Sequence, residues 1–320
     1  MSRTEFAELN SKKSPFLSLI IPTYNRHDII VDTVKKFLDQ DYPRFEIVVV
    51  DQTPGASRNV LSEFFELKEN RVRYVHIDEP GLPNARNVGI EAAEGDIVLF
   101  ADDDAEPLDK NFIFQHARHY EDPGIVGVTG RVIDDRAKPT HDPENILKLT
   151  RWGTSSCGFN GTVRTRIDTA YGCNMSFRTN DCIEAGLFDK RIVGSAEGEE
   201  LEFSLRLRKT TGKSLIFEPE ACLIHQRRTI GGCESRSILK LQRHFWRFHN
   251  QAFIASRNKD QINPCLFFLG RLLSIINISF ESKSVKPFYW LPWALFSGYR
   301  TSRQKEASAR MIAQVKNKLN

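Results

Sequence analysis

The sequence has no C-x-x-C pair: its six cysteines, at 157, 173, 182, 222, 233 and 265, are scattered. That excludes the usual thiolate zinc frameworks and a disulfide scaffold, and it fits a reducing compartment. No apolar leader precedes Ser14 and no low-complexity tract interrupts the chain, so a folded cytoplasmic protein is expected. Glycine is missing from "PTYNRHD", residues 22–28, after the first apolar run. A nucleotidyltransferase would favour a Gly-rich phosphate loop there, which ranks that activity low. Long apolar runs are also lacking. Residues 264–280 are short for a span and carry Arg271 at their centre, where an arginine costs roughly 2.5–3.5 kcal/mol on insertion scales.

What is present begins with a repeated pattern. Apolar, β-branched runs at 16–21, 45–50, 72–77 and 96–100 alternate with helix-like segments near 27–40, 57–68 and 83–94. Strands alternating with helices predict βαβ units and an α/β fold with a mainly parallel sheet flanked by helices. Ligands of such sheets collect beyond the carboxyl ends of the strands. Each run is followed there by a polar cluster: "PTYNRHD" 22–28, "DQTPG" 51–55, "DEPGLPNARN" 78–87 and "DDDAEP" 102–107.

The pattern continues with a helix near 109–121, a strand over 124–133 and a long polar surface loop over 134–166. A strand over 169–178, a helix over 179–186 and a helix over 197–212 ended by Gly212 follow. Two short strands parted by Pro219 are expected in 214–225, and helices over 236–257, 264–280 and 286–300. We therefore divide the chain into an N-terminal tail (1–15), an α/β domain (16–232) and a helical C-terminal region (233–320), with a boundary near Gly231–Gly232.

Charge is unevenly placed. Residues 283–320 hold eight Lys/Arg against Glu306 alone, a net +7, which leaves the remaining 282 residues at −3. With Phe288, Tyr289, Trp290, Trp293 and Phe296 in apolar company, this suits a helix lying at an anionic membrane surface. The competing reading packs these helices on the core or on a second subunit. Nucleic acid is a poor partner, because aromatics and basic residues do not alternate.

Asp102, Asp103 and Asp104 stand side by side at a strand end. Adjacent carboxylates repel unless a cation lies among them, and alternate ones converge readily on Mg²⁺ or Mn²⁺. An EF-hand is excluded, since Pro107 and Ile113 stand where its glycine and bidentate glutamate belong. Asp51 ends its strand in the same way, and Arg86 falls early in a helix whose N-terminus favours anions.

"LSLIIPTYNR", "EIVVVDQTPG", "GLPNARNVGIEAAEGDIVLFADDDAEP" and "EGEELEFSLRLRKTTGKSLIFEPEACLIH" together resemble the family 2 inverting glycosyltransferases of GT-A fold, over about residues 16–228. The resemblance implies that Pro22, Thr23 and Tyr24 line the nucleotide pocket, that Asp51 binds the base and that Arg86 lies beside base or diphosphate. Asp104 is then the direct metal ligand, with Asp102 or Asp103 nearer the ribose. His225 matches a position beside the metal or diphosphate. Asn174, with Gly172, Cys173 and Met175, would floor the donor-sugar region, while Arg164 and Arg166 read as solvated. Glu200 in "GEEL" stands where the family's catalytic Asp does, with Glu199 or Glu202 as substitutes. Gln52 replaces a second acid often found after Asp51.

The expected activity is metal-dependent transfer, with Mg²⁺ or Mn²⁺, from a UDP-, GDP- or dTDP-sugar to a hydroxyl of a glycan or lipid-linked acceptor. Its expected setting is polysaccharide, glycolipid or surface-glycan synthesis at the inner face of the cell membrane. The alternative is a non-catalytic sugar-nucleotide-binding or membrane-scaffold protein.

Overall fold

The computed structural model describes residues 14–55, 70–135, 137–226 and 240–304. The expected helix at 57–68, the boundary at Gly231–Gly232 and most of both tails lie outside these residues. The elements of the α/β part are β1 (Leu17–Thr23), α1 (His27–Leu38), β2 (Phe45–Asp51), β3 (Val72–His76), α2 (Leu82–Ala92), β4 (Ile97–Ala101), β5 (Ala105–Pro107), α3 (Phe112–Ala117), β6 (Ile125–Ile133), β7 (Thr165–Ile167), β8 (Asn174–Arg178), α4 (Thr179–Glu184), α5 (Glu199–Thr211) and β9 (Ser214–His225). Helices α6 (Lys240–Arg257), α7 (Pro264–Ser282) and α8 (Lys286–Ser302) follow.

One nine-stranded sheet runs β3-β2-β1-β4-β8-β6-β9-β5, with β7 on β9. The first four strands are parallel, while β8 pairs antiparallel with both β4 and β6. Every residue of β1, β2 and β4 is buried, because helices cover both faces and successive side chains alternate between them. Leu17, Leu19, Ile21, Ile47, Val49, Ile97 and Leu99 meet Ile30, Val34 and Phe37 of α1 on one face. Ile20, Val48, Val50, Val98 and Phe100 meet Ala85 and Ile90 of α2 on the other. These two layers fix the strand ends that build the site.

Three local expectations change. Residues 214–225 form one strand, because the pairing of β6 with β9 shifts register between Gly130 and Val132. Pro219, which has no N–H to donate, falls in that irregularity. The strand expected over 169–178 is shorter, beginning at Asn174. The 134–166 segment is no plain surface loop: Ile146, Leu147 and Phe159 are buried in the core, and Phe159 stacks on Tyr171.

Helix α6 packs onto the α/β part through Ala252, Phe253 and Ile254, which join Ile192, Ala196, Leu201 and Leu205 in one apolar cluster. By length and composition α7 alone among the described helices could cross a membrane. Its Arg271, however, turns inward and is buried, bonded to Gln251 and lying over the rings of Phe248 and Phe267. The outward side keeps Phe268, Leu269, Leu272, Leu273 and Phe280 exposed, continued on α8 by Phe288, Tyr289, Trp290, Trp293 and Phe296.

Candidate active site

The carboxyl ends of β1, β2 and β4 lie on one edge of the sheet, because the three strands are parallel. Pro22 is tolerated within β1 because the pairing with β4 stops at Ile20. Thr23, the last residue of β1, donates its hydroxyl to Asp103 Oδ2 at 2.7 Å. Just beyond, Arg26 Nη1 lies 2.6 Å from Asp103 Oδ1 and 3.1 Å from Asp104 Oδ2. Arg26 is thus one cation among the three aspartates, and the sequence reading had not singled it out. Asp103 is buried, and that burial pushes its carboxyl up to about 6 even though Arg26 and Thr23 favour the charged form. Thr33 of α1 also donates to the Asp103 carbonyl. Asp103 therefore anchors the turn to β1 and α1.

Asp102, Asp104 and His225 form a second group, with Asp104 buried and the other two partly exposed. Strand β9 reaches it because His225 pairs with Ala105 of β5, directly after the aspartates. His225 Nε2 lies 3.0 Å from Asp104 Oδ1 and 3.7 Å from Asp102 Oδ2. One donor atom from each of the three residues falls within 4.8 Å of the others. Asp102 has a side chain 35% exposed, and desolvation raises its pKa, with His225 opposing and Asp104 adding to the rise. Two carboxylates and one imidazole at this spacing fit Mg²⁺ or Mn²⁺, whose charge would relieve the repulsion between the acids. Asp134, just after β6 and with its side chain buried, lies 3.9 Å from His225 Nδ1, a neighbour no motif announced.

Asp51 is buried and accepts from His27 Nε2 at 2.8 Å, from the Tyr74 hydroxyl at 2.6 Å and from the Thr53 N–H at 2.8 Å. Burial raises its pKa, and these hydrogen bonds outweigh it and hold the carboxylate below the ordinary range. Gln52 accepts the Gly81 N–H at 3.0 Å and so ties the start of α2 to the end of β2. Tyr24, directly after β1, is partly exposed.

Arg86 is buried, only 2% exposed. It is ion-paired with Glu199 and donates to the Gly172 carbonyl at 2.9 Å, and its guanidinium also lies over the neighbouring rings of Phe100 and Phe188. A Cβ on Gly172 would lie 3.0 Å from Arg86 Nη2, so the bare backbone lets the guanidinium in. Gly198, at φ 91°, makes the left-handed turn into α5. Glu199 then points inward and Glu200 is left partly exposed. Burial raises the Glu199 carboxyl above the usual range, although Arg86 opposes the rise. Glu200 is raised too, chiefly by desolvation, with Arg86 lowering it and Glu197 and Asp102 adding to the rise. Glu202 is buried and bonded to Arg206.

Asn174 is enclosed. Its Oδ1 accepts from His116 Nε2 at 2.9 Å, and its Nδ2 donates to the carbonyls of Arg131 and Ala221. Arg164 bonds to buried Glu218, apart from the aspartates.

Comparison with known proteins bears on the family and the fold. The model of the family described as glycosyl transferase family 2 matches residues 18–183, a segment that ends before Glu200 and His225. A glucosyl-dolichyl phosphate glucuronosyltransferase of Haloferax volcanii is 28% identical over 66% of this chain and 69% of its own. The chain spans 55% of a Bacillus subtilis relative, a putative teichuronic acid biosynthesis glycosyltransferase, at 36% identity over 41% of this chain. Among solved structures, S. aureus TarS 1–349 in complex with UDP-GlcNAc superposes with TM-score 0.58 at 18% identity, covering 88% of this chain and 80% of that one. A Pyrobaculum calidifontis mannosyltransferase in complex with GDP-Man and Mn²⁺ superposes with TM-score 0.51 at 17% identity, covering 98% and 86%.

Proposed function

Because the chain belongs to glycosyl transferase family 2 and has its GT-A fold, we propose that it transfers a sugar, with inversion, from a nucleotide diphosphate donor to an acceptor hydroxyl. The observation that supports this reading is the convergence of Asp102, Asp104 and His225 at the strand ends, with Asp102 close enough to Glu200 to add to the rise of its pKa. Glu200 is the general base. Its raised pKa brings it closer to the range in which a base removes a hydroxyl proton effectively near neutral pH. Asp102, Asp104 and His225 would hold Mg²⁺ or Mn²⁺, which stabilises the charge of the departing diphosphate when bound.

Pro22, Thr23, Tyr24 and Asp51 lie where a nucleotide would enter, at the ends of β1 and β2. Arg86 acts one layer behind, holding Glu199 and thereby the first turn of α5 that presents Glu200. A UDP-, GDP- or dTDP-sugar is the donor class. The named relatives suggest surface-glycan or lipid-linked acceptors, and the exposed apolar sides of α7 and α8 suit a peripheral position at the cytoplasmic side of a membrane.

The test is nucleotide release from a panel of UDP-, GDP- and dTDP-sugars with Mn²⁺ or Mg²⁺, with the anomeric configuration of the product read by NMR. Turnover with inversion, lost in Glu200→Gln but with donor binding kept, is expected. Retention of configuration, or full activity in Glu200→Gln, would overturn the assignment.

A further inference from the structure

A cavity of mixed polar and apolar lining lies far along the chain from the aspartates, between α6 and α7. It has a volume of about 440 Å³ and is lined by His244, Arg247, Arg271, Leu273, Asn277 and Glu281 among others. Arg271 is 6% exposed, and its Nε has no hydrogen-bond partner among the described residues. Only Gln251 is seen to engage its Nη1. A buried donor on a permanent charge is costly to leave unmet. Arg247, on the rim, lies 3.4 Å from Glu197. Desolvation lowers the pKa of Arg271, and repulsion from the Arg247 guanidinium adds to the fall. Glu281, the acid of the cavity, is exposed and engaged by Asn277 at 2.8 Å.

Two arginines, one with a buried unmet N–H, match a phosphate, which accepts forked donors. What surrounds the cavity selects the kind of phosphate. Leu273 and Ile278 line its mouth, and the outward face of α7 continues from it through Leu269, Leu272 and Phe280. Lys283 and Lys286 stand exposed where α7 turns into α8. An anion bearing apolar chains satisfies both surfaces at once, whereas a soluble anion leaves the apolar face in water.

We propose that the α6–α7 cavity seats the phosphate of an anionic membrane lipid, whose chains lie against the exposed face of α7. The proposal rests on the membrane association argued above and adds to it a specific headgroup site. Arg247 also joins this site to the catalytic region, since Glu197 precedes the turn that presents Glu200, and Asn250 of α6 bonds to the carbonyls of Val193 and Glu197.

The experiment is flotation of the full chain on vesicles of phosphatidylcholine alone and of phosphatidylcholine with phosphatidylglycerol, with inorganic phosphate as soluble competitor. Arg247→Gln and Arg271→Gln are compared with Lys286→Gln, which removes an exposed charge outside the cavity. Expected is preferential flotation with phosphatidylglycerol, insensitive to inorganic phosphate. Both arginine variants should bind about tenfold more weakly than Lys286→Gln, a difference of about 1.4 kcal/mol. Exposed Arg247 keeps the test decisive if Arg271→Gln fails to fold. Equal losses in all three variants would reduce the site to surface charge and overturn it, and displacement by inorganic phosphate would make the ligand a soluble anion. Flotation on neither vesicle would remove the membrane reading and this site together, while sugar-nucleotide turnover by the same protein would show the catalytic reading intact.

Discussion

Arg86 of α2 and Glu199 of α5 form an ion pair in which each side chain is only 2% exposed, and Glu200, the next residue, is left partly exposed. One acid of the pair of glutamates is thus spent on a buried charge and its neighbour is available for chemistry. Stability and turnover should separate them. Glu199→Gln strands the Arg86 charge and should cost about 3–5 kcal/mol, whereas replacing both Arg86 and Glu199 by methionine should recover much of that loss. Glu200→Gln should change stability by no more than about 0.5 kcal/mol while lowering kcat by about 10²–10⁴. Urea unfolding and donor turnover of the variants decide the matter.

Asp104 and Asp103 should also part company. Asp104→Asn removes a donor from the group with Asp102 and His225, so Mn²⁺-dependent binding of the nucleotide should be lost with the fold kept. Asp103→Asn breaks the contacts to Arg26 and Thr23 and should show chiefly as lower stability, by about 1–3 kcal/mol. Calorimetric titration of the nucleotide with and without Mn²⁺ reads the first effect and thermal unfolding the second. A chelator should reproduce the first in the wild type, and added Mn²⁺ should reverse it.

The difference between these aspartates was not visible in a run of identical letters. The strand ends were, since "LSLII" and "EIVVV" are buried on both faces and leave a continuous apolar signature. Three adjacent aspartates instead divide by where each carboxylate points, and only the position of Arg26 and the arrival of β9 at Asp104 settle that. Likewise, Arg86 looks like an anion ligand in "GLPNARN" because its partner lies far along the chain, at Glu199. Pro219 argues for a break in sequence terms, yet a register shift absorbs it. Ile146, Leu147 and Phe159 have no period around them, so their burial could not be read from a pattern. The roles proposed for Glu200 and His225 rest on family resemblance, not on spacing.

His116 should control the acid stability of the sheet. It is fully buried, with Nε2 donating to Asn174 Oδ1 and Nδ1 accepting from the Ser176 hydroxyl, each at 2.9 Å, and Tyr120 donates to that hydroxyl at 2.7 Å. Burial lowers its pKa to about 3, while an unfolded histidine titrates near 6.5. Between those values the unfolded chain binds a proton that the folded one refuses, so stability falls as pH drops from about 6.5 towards 3, by up to about 1.4 kcal/mol per pH unit. His116→Phe should be less stable at pH 8, having lost the two hydrogen bonds, yet should show a flatter decline below pH 6. Denaturant unfolding across pH tests this, and equal slopes would refute it.

Gly298 sets how closely α8 can approach α6. A Cβ at this position would lie 2.0 Å from the His249 carbonyl oxygen and 3.1 Å from Ala252 Cβ. The first neighbour is backbone and cannot swing aside, so Gly298→Val must separate the two helices. Overpacking of this kind costs about 1–3 kcal/mol, and here it falls on a contact that the parallel sheet does not share. Hydrogen exchange should therefore quicken in α6 and α8 while β1, β2 and β4 stay protected. Because α6 reaches the α/β part through Phe253 and Ile254 beside Leu201 of α5, donor turnover should weaken only if the loosening passes along that cluster to Glu200. Turnover and exchange measured on the same variant show whether the C-terminal helices brace the catalytic turn or merely sit beside it.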